Sequence, residues 1–233
     1  MPKLAKNPAL FPPHVAQCSV EFDPQDSTDL AEQFPGIPLP VSMVRAVRKR
    51  QTEFLAGRYC VREALRACAP EHAEAIVGTG PDREPLWPPG IVGAITHTHH
   101  FASAAVARAR DVRGIGLDAE RLMTDHLAAR VLSQIAATDE ISALVSLSQW
   151  STSEVLTVVF SAKETLFKCL YREVRRYFDF RDASVIAVDK ELGRFSVRLL
   201  VTLTPALPAG STFDGRFERD EGSVCTAMVL PPA

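Results

Sequence analysis

The chain predicts an α+β fold of two lobes. Its 233 residues, 46% of them hydrophobic, suffice for one large core or two small ones. Strands, a helix and further strands follow one another in both halves. The last third alternates apolar and polar residues between Gly, Asp and Pro turns, the signature of a β-meander. Each lobe is therefore expected to pack a mainly antiparallel sheet against a long helix. The boundary is expected between about Ala119 and Asp125, giving lobes of 1–120 and 121–233.

Composition narrows the setting. A charged fraction of 23% is ordinary for a globular protein, and the net charge of -2 conceals basic residues gathered in the first third. No apolar run reaches membrane-spanning length, and the short basic start is not followed by a signal-type apolar segment. The five cysteines are odd in number, scattered and without CxxC spacing, which argues against a disulfide framework and a structural zinc site. A cytoplasmic chain without a membrane partner is expected.

Taken in order, residues 17–23 read as an edge strand and 34–40 as a proline-punctuated loop. Residues 41–68 read as one long helix, with a break near Gly57. Val44, Val47, Phe54, Leu55, Val61 and Leu65 approximate its apolar stripe. Its polar positions are Arg45, Arg48, Lys49, Arg50, Arg58, Arg62 and Arg66, against only Glu53 and Glu63. Such an array suits phosphates or an acidic protein, or is a solvated face; no nucleic-acid recognition motif accompanies it. Residues 69–90 read as a hairpin or extended loop that holds Arg83 among prolines. Residues 91–97 form a strand ending in Thr96, His97, His99 and His100. Three histidines in four residues invite a metal, while His97 at the strand end also suits a phosphate. Residues 101–108 fit a return strand or a short helix.

Residues 113–120 read as a short buried strand delivering Asp118 and Glu120 to one face, with Ala119 turned away. Two adjacent carboxylates repel each other unless a proton or cation lies between them. A hard divalent ion, Mg2+ first, is one solution; a solvated acidic turn is the other. Helical patterns occur at 125–132 and 137–147, the second capped by Thr138 or Asp139. The apolar run 155–160 leads into a helix at 161–171 that Ser161 would cap. Glu164 and Lys168 share a face of that helix, as a surface pair or as part of the acidic site. Arg172, Arg175, Arg176 and Arg181 alternate with Tyr177, Phe178 and Phe180. Strands are expected at 184–188, 195–203, 211–217 and 224–230.

Three motifs combine in a telling order: Trp-Pro-Pro-Gly-Ile-Val-Gly-Ala-Ile-Thr-His at 87–97, Gly-Leu-Asp-Ala-Glu at 116–120, and Phe-Ser-Ala-Lys-Glu-Thr-Leu-Phe-Lys at 160–168. Together with the basic helix from Lys49 to Leu65 they resemble the 4'-phosphopantetheinyl transferases, of the compact bacterial type that serves siderophore, polyketide and fatty-acid machinery. The resemblance implies a monomer of two lobes in pseudo-twofold arrangement with the active site between them. It implies transfer of phosphopantetheine from coenzyme A to a serine of an acyl, peptidyl or aryl carrier protein, releasing adenosine 3',5'-bisphosphate. Asp118, Glu120 and Glu164 would hold Mg2+, with Mn2+ as a substitute, and Lys168 would contact phosphate. Asp118, Glu164 and Lys168 form the implied catalytic group. Lys49, Arg50, Arg58, Arg83, Thr96 and His97 would bind coenzyme A together with Lys168. Ala119 stands where many relatives carry a larger aliphatic residue. The basic helix would also meet acidic carriers. Two other readings stay open on the sequence: a metal-dependent nucleotide or phosphate-ester enzyme, and a non-catalytic module binding an acidic protein.

Overall fold

A computed structural model of the chain describes residues 2–232. The chain divides into two compact units, the first running to Arg113 and regaining the last residues from Pro231, the second spanning Gly114–Leu230. The acidic strand thus opens the second unit, whereas the boundary expected from the strand and helix order, between about Ala119 and Asp125, leaves it at the end of the first. Its hydrogen-bonded neighbour decides this, since the strand pairs along its whole length with the last strand of the chain.

The first unit contains β1 (Lys3–Leu4), β2 (Ala16–Glu21), α1 (Leu30–Gln33), α2 (Arg48–Cys68), β3 (Gly78–Thr79), β4 (Pro85–Leu86), β5 (Ile91–Thr98) and β6 (Phe101–Arg108). The main sheet runs β1-β2-β6-β5 and is antiparallel at every junction, while β3 and β4 form a separate small hairpin. The expected edge strand is therefore an inner one, β2, because the two-residue β1 pairs with its outer side at Val20 and Glu21. Helix α2 buries Leu55, Ala56, Cys60, Val61, Ala64 and Leu65 against Val20, Ala102, Ala104 and Val106. These helix positions recur every three to four residues, which puts them on one stripe.

Two expectations for the long helix need correction. The chain is not helical from Val41: a 3-10 turn at Val41–Met43 precedes α2, and Val44 and Val47 are exposed at 59% and 73%. Nor does the helix break at Gly57. A methyl built there would lie 3.0 Å from Ile95 Cγ2, so the glycine allows α2 to approach β5 closely.

The second unit contains β7 (Gly114–Arg121), α3 (Asp125–Ile135), α4 (Thr138–Ser148), α5 (Thr152–Val174), β8 (Ala183–Asp189), β9 (Arg194–Leu199), β10 (Thr212–Arg219) and β11 (Ser223–Leu230). The antiparallel sheet runs β7-β11-β10-β9-β8. Its helix does not begin at Ser161. It begins nine residues earlier, where Ser151 accepts from Glu154 N and Glu154 returns a bond to the Ser151 N–H, a capping box. The run at 155–160 is helical because the sheet buries one side of α5 and α3 and α4 cover another. A helix covered on several sides is apolar all round and loses the 3.6-residue signal. The N-cap of α4 is Ala137, not Thr138 or Asp139, and makes no side-chain cap bond. All five cysteines are free thiols. Among the described residues, no helix is long and apolar enough to cross a membrane.

The register between α5 and β7 brings the acidic strand against one face of the helix. Methyls built on Gly114 and Gly116 would overlap the carbonyl oxygens of Cys169 and Thr165. Asp118 reaches Ser161, and the Met123 N–H reaches Thr157 Oγ1. The helix therefore runs antiparallel to the strand. Four helical residues rise about 6.0 Å and two strand residues about 6.6 Å, so the series from Gly114 to Asp118 stays in step with α5 over about two turns.

Candidate active site

Asp118 is 3% exposed, and a carboxylate so placed must find charge or hydrogen bonds. It has both. Lys168 Nζ donates to Asp118 Oδ1 at 2.7 Å and to the Leu117 carbonyl at 3.0 Å. Ser161 Oγ donates to Asp118 Oδ2 at 2.8 Å. A charge-assisted bond of this kind contributes about 1.5–3 kcal/mol. Lys168 lies two turns of α5 from Ser161, so one helix grips both oxygens of the carboxylate.

Glu120 and Glu164 stand in the same field without such compensation. Burial pushes the Glu120 carboxyl up to about 7; the Asp118 charge adds to the rise, Lys168 opposes it, and Glu164 adds a little more. Burial likewise raises Glu164, with Lys168 opposing and Asp118 reinforcing. One ammonium thus serves three carboxyl groups. The donor chemistry fits a hard divalent cation, which would relieve the repulsion and accept an all-oxygen ligand set. Among the described residues, however, no three acidic, histidine or cysteine side chains already converge as a metal cluster.

The first unit gathers cations at the start of α2. Arg48, Lys49 and Arg50 occupy its first turn, which contains no acidic residue. Cations there oppose the helix dipole, an arrangement that costs stability and favours an incoming anion. Glu53, 9% exposed, draws them together: Lys49 Nζ lies 3.8 Å and Arg50 Nη1 3.4 Å from its carboxylate, with His97 Nδ1 at 3.9 Å. Arg50 Nη1 is 2.7 Å from His97 Nε2. Because a guanidinium only donates, Nε2 accepts and the ring proton sits on Nδ1, on the Glu53 side.

Arg58 is placed about two turns beyond Arg50 on α2. Its Nη2 donates to Gly78 O and Thr79 Oγ1, each at 3.0 Å, and its guanidinium lies 4.6 Å from the Phe54 ring centre. Burial, helped by Arg50, lowers its pKa to about 10, so it remains charged at neutral pH. Its Nε is buried without a hydrogen-bond partner. Arg58 borders a pocket of about 270 Å³ with Phe54, Ile37, Val77 and Thr79 among its walls. Arg83 sits in the β3–β4 turn at φ 67, a left-handed conformation uncommon for arginine. Thr96 is buried and, by strand alternation, faces the side of the sheet opposite His97. The histidines do not form the metal cluster that their spacing invites. His97 turns to Arg50, while His99 and His100 pack ring against ring at 4.5 Å.

Comparison with known proteins bears on this chemistry. Residues 41–107 match the 4'-phosphopantetheinyl transferase N-terminal domain, and residues 114–215 match the 4'-phosphopantetheinyl transferase superfamily. The chain is 32% identical to the 4'-phosphopantetheinyl transferase PptT of Mycobacterium tuberculosis, over 96% of this chain and 95% of that one. The chain belongs to the 4'-phosphopantetheinyl transferase family. It is also 35% identical to the transferase Svp of Streptomyces mobaraensis, over 81% of this chain and 75% of the relative. Enterobactin synthase component D of Salmonella typhimurium matches at 37% identity over 79% and 74%.

Within each unit of this transferase, side chains outside the predicted site set support the polar group. In the first, Glu53 holds Lys49 and Arg50; in the second, Ser161, Thr165 and Thr226 lie beneath Asp118. Thr226 had a signal in the sequence: it interrupts the inward series Val224, Met228 and Leu230 of β11. Ser161 was obscured by the misplaced helix start.

Proposed function

We propose that this transferase moves the 4'-phosphopantetheine arm of coenzyme A to a serine of an apo acyl, peptidyl or aryl carrier protein. Mg2+ would assist, and adenosine 3',5'-bisphosphate would leave. The observation carrying this reading is the Asp118–Lys168 pair with Glu120 and Glu164 in its field. Asp118, Glu120 and Glu164 would hold the cation, which would supply charge neutralisation to the pyrophosphate. Lys168 offers a donor to a phosphate oxygen as charge develops on it. The carboxylate of Glu164 or Glu120, made more basic by burial, suits acceptance of the serine proton. Lys49, Arg50 and His97, gathered by Glu53, suit the phosphates at the nucleotide end of coenzyme A. The pocket beside Arg58 and Phe54 suits its flat base.

Acidic carriers are the expected partners, since exposed Arg45, Lys49, Arg50 and Arg66 offer them opposite charge. The enterobactin relatives favour a siderophore-type pathway as one setting for such a carrier. A cytoplasmic monomer is the form in which we expect it to act. Incubation with coenzyme A, Mg2+ and an apo carrier should raise the carrier's mass by one phosphopantetheine group, with equimolar release of adenosine 3',5'-bisphosphate. Hydrolysis of coenzyme A without carrier modification would instead favour a phosphate-ester enzyme.

A further inference from the structure

Beneath Asp118 lies a group of buried hydroxyls that the proposed transfer does not use. Ser161, Thr165 and Thr226 are all 0% exposed. Thr226 pairs with Asp118 across β7 and β11, which brings its side chain to the face where α5 lies. Ser161 and Thr165 are four residues apart on α5 and so present one face to it. Thr226 Oγ1 is 2.8 Å from Ser161 Oγ, 2.6 Å from Thr165 Oγ1 and 3.0 Å from the Ser161 carbonyl oxygen. Thr165 Oγ1 is also 3.3 Å from the Thr226 carbonyl oxygen.

Proton counting orders this group. An ionised carboxylate only accepts, so Ser161 must give its one proton to Asp118 Oδ2. The Ser161 oxygen is then left to accept, and Thr226 is the hydroxyl in reach. Thr226 has two acceptors on Ser161, the hydroxyl at 2.8 Å and the carbonyl at 3.0 Å, and with its proton spent on either its oxygen is left to accept from Thr165. The hydroxyl-to-hydroxyl arrangement runs Thr165 to Thr226 to Ser161 to the carboxylate, and chains of this kind strengthen their own members. A serine inside a helix ordinarily bonds back to the carbonyl four residues earlier. Here Thr226 supplies a reason for Ser161 to point at Asp118 instead.

We propose that Thr165, Thr226 and Ser161 form a one-way hydroxyl chain that fixes the Asp118 carboxylate for the transfer reaction, with Thr226 as its central positioning residue. The chain occupies Oδ2 on the buried side and leaves Oδ1 beside Lys168, whose side chain is 25% exposed. Asp118 thereby keeps one oxygen for structure and one for chemistry. Thr226 touches no reacting atom in this scheme; it acts through Ser161 and Asp118.

This inference rests on the proposed Mg2+-dependent transfer, and its test separates the two. Thr226→Val keeps shape and removes the hydroxyl, whereas Thr226→Ser keeps the hydroxyl and removes a methyl. Each is compared with wild type for kcat and KM in carrier modification, and for Mn2+ affinity in the presence of coenzyme A by electron paramagnetic resonance. Thr226→Val should lower kcat and Mn2+ affinity by about tenfold, the low end for loss of a group that orients a metal ligand. KM for the carrier should stay unchanged, and Thr226→Ser should remain near wild type. Should Thr226→Val not fold, Ser161→Ala, which cuts the chain at the carboxylate, is expected to show the same losses. An active wild type matched in kcat and Mn2+ affinity by these variants overturns the hydroxyl chain and leaves the transfer standing. A wild type that neither modifies a carrier nor binds Mn2+ overturns the transfer, and the chain's role with it.

Discussion

Lys168 Nζ lies 2.7 Å from Asp118 Oδ1, joining the last third of α5 to the strand that carries the acidic pair. The same ammonium donates to the Leu117 carbonyl, so its position is set by two acceptors on one strand. Lys168→Ala should lower carrier modification by about 100-fold or more, the scale for removing a charged donor aimed at developing charge. Lys168→Arg should recover little, because a planar guanidinium does not replace a compact ammonium at this double contact. Initial rates with saturating coenzyme A measure both effects.

The raised carboxyls tie stability to pH. Glu120 binds its proton up to about pH 7 in the folded chain, against 4.5 as its ordinary value. Between those values the folded state holds more protons than the unfolded one, so stability falls as pH rises. Glu164 acts in the same direction. Without divalent ions, denaturant titrations from pH 5 to 7.5 should show a decline on the order of 2–3 kcal/mol. Glu120→Gln should flatten most of that slope, and Mg2+ should oppose it.

Gly116 lets β7 approach the backbone of α5 closely. A methyl there would overlap the Thr165 carbonyl, which belongs to helix backbone and cannot rotate away. Gly116→Ala should cost about 3 kcal/mol, at the upper end for overpacking. Urea unfolding measures this loss. Gly222→Ala, where a methyl would meet nothing within 4 Å, serves as the control.

Beside Glu164, Lys163 plays a different part from Lys168. It is buried, and its Nζ donates at 3.0 Å both to Glu140 Oε2 and to the Ile135 carbonyl. Glu140 Oε1 in turn accepts from the Val185 N–H. This pair joins α3, α4, α5 and β8, so removing one partner strands the other charge. Lys163→Met should destabilise by about 3–5 kcal/mol. At a temperature where the variant is still folded, its rate per folded molecule should stay far closer to wild type than that of Lys168→Ala.

Much of this was readable from local pattern. The alternation at 91–97 and in the last third gave strands, and the turn-rich stretch at 69–90 gave the β3–β4 hairpin. Asp118 and Glu120 shared a face by strand parity, and Glu164 and Lys168 by helix spacing. What local pattern hid has a common physical source: long-range partners. The start of α5 was masked because neighbours on several sides make its residues apolar all round. The membership of β7 in the second unit depends on pairing with β11, roughly a hundred residues later in the chain. Glu53 looked like a counter-charge among arginines, yet it gathers Lys49, Arg50 and His97. Val44 and Val47 fitted an apolar stripe by spacing, but the helix that would have buried them begins at Arg48.

The most direct test is mass spectrometry of an apo carrier incubated with the chain and coenzyme A, in Mg2+ and in EDTA. Wild type should add one phosphopantetheine group in Mg2+ and none in EDTA. Asp118→Ala and Glu164→Ala, shown to be folded, should lose nearly all of that transfer. Undiminished modification in EDTA, or in both variants, would contradict the acidic cation site on which the proposed reaction depends.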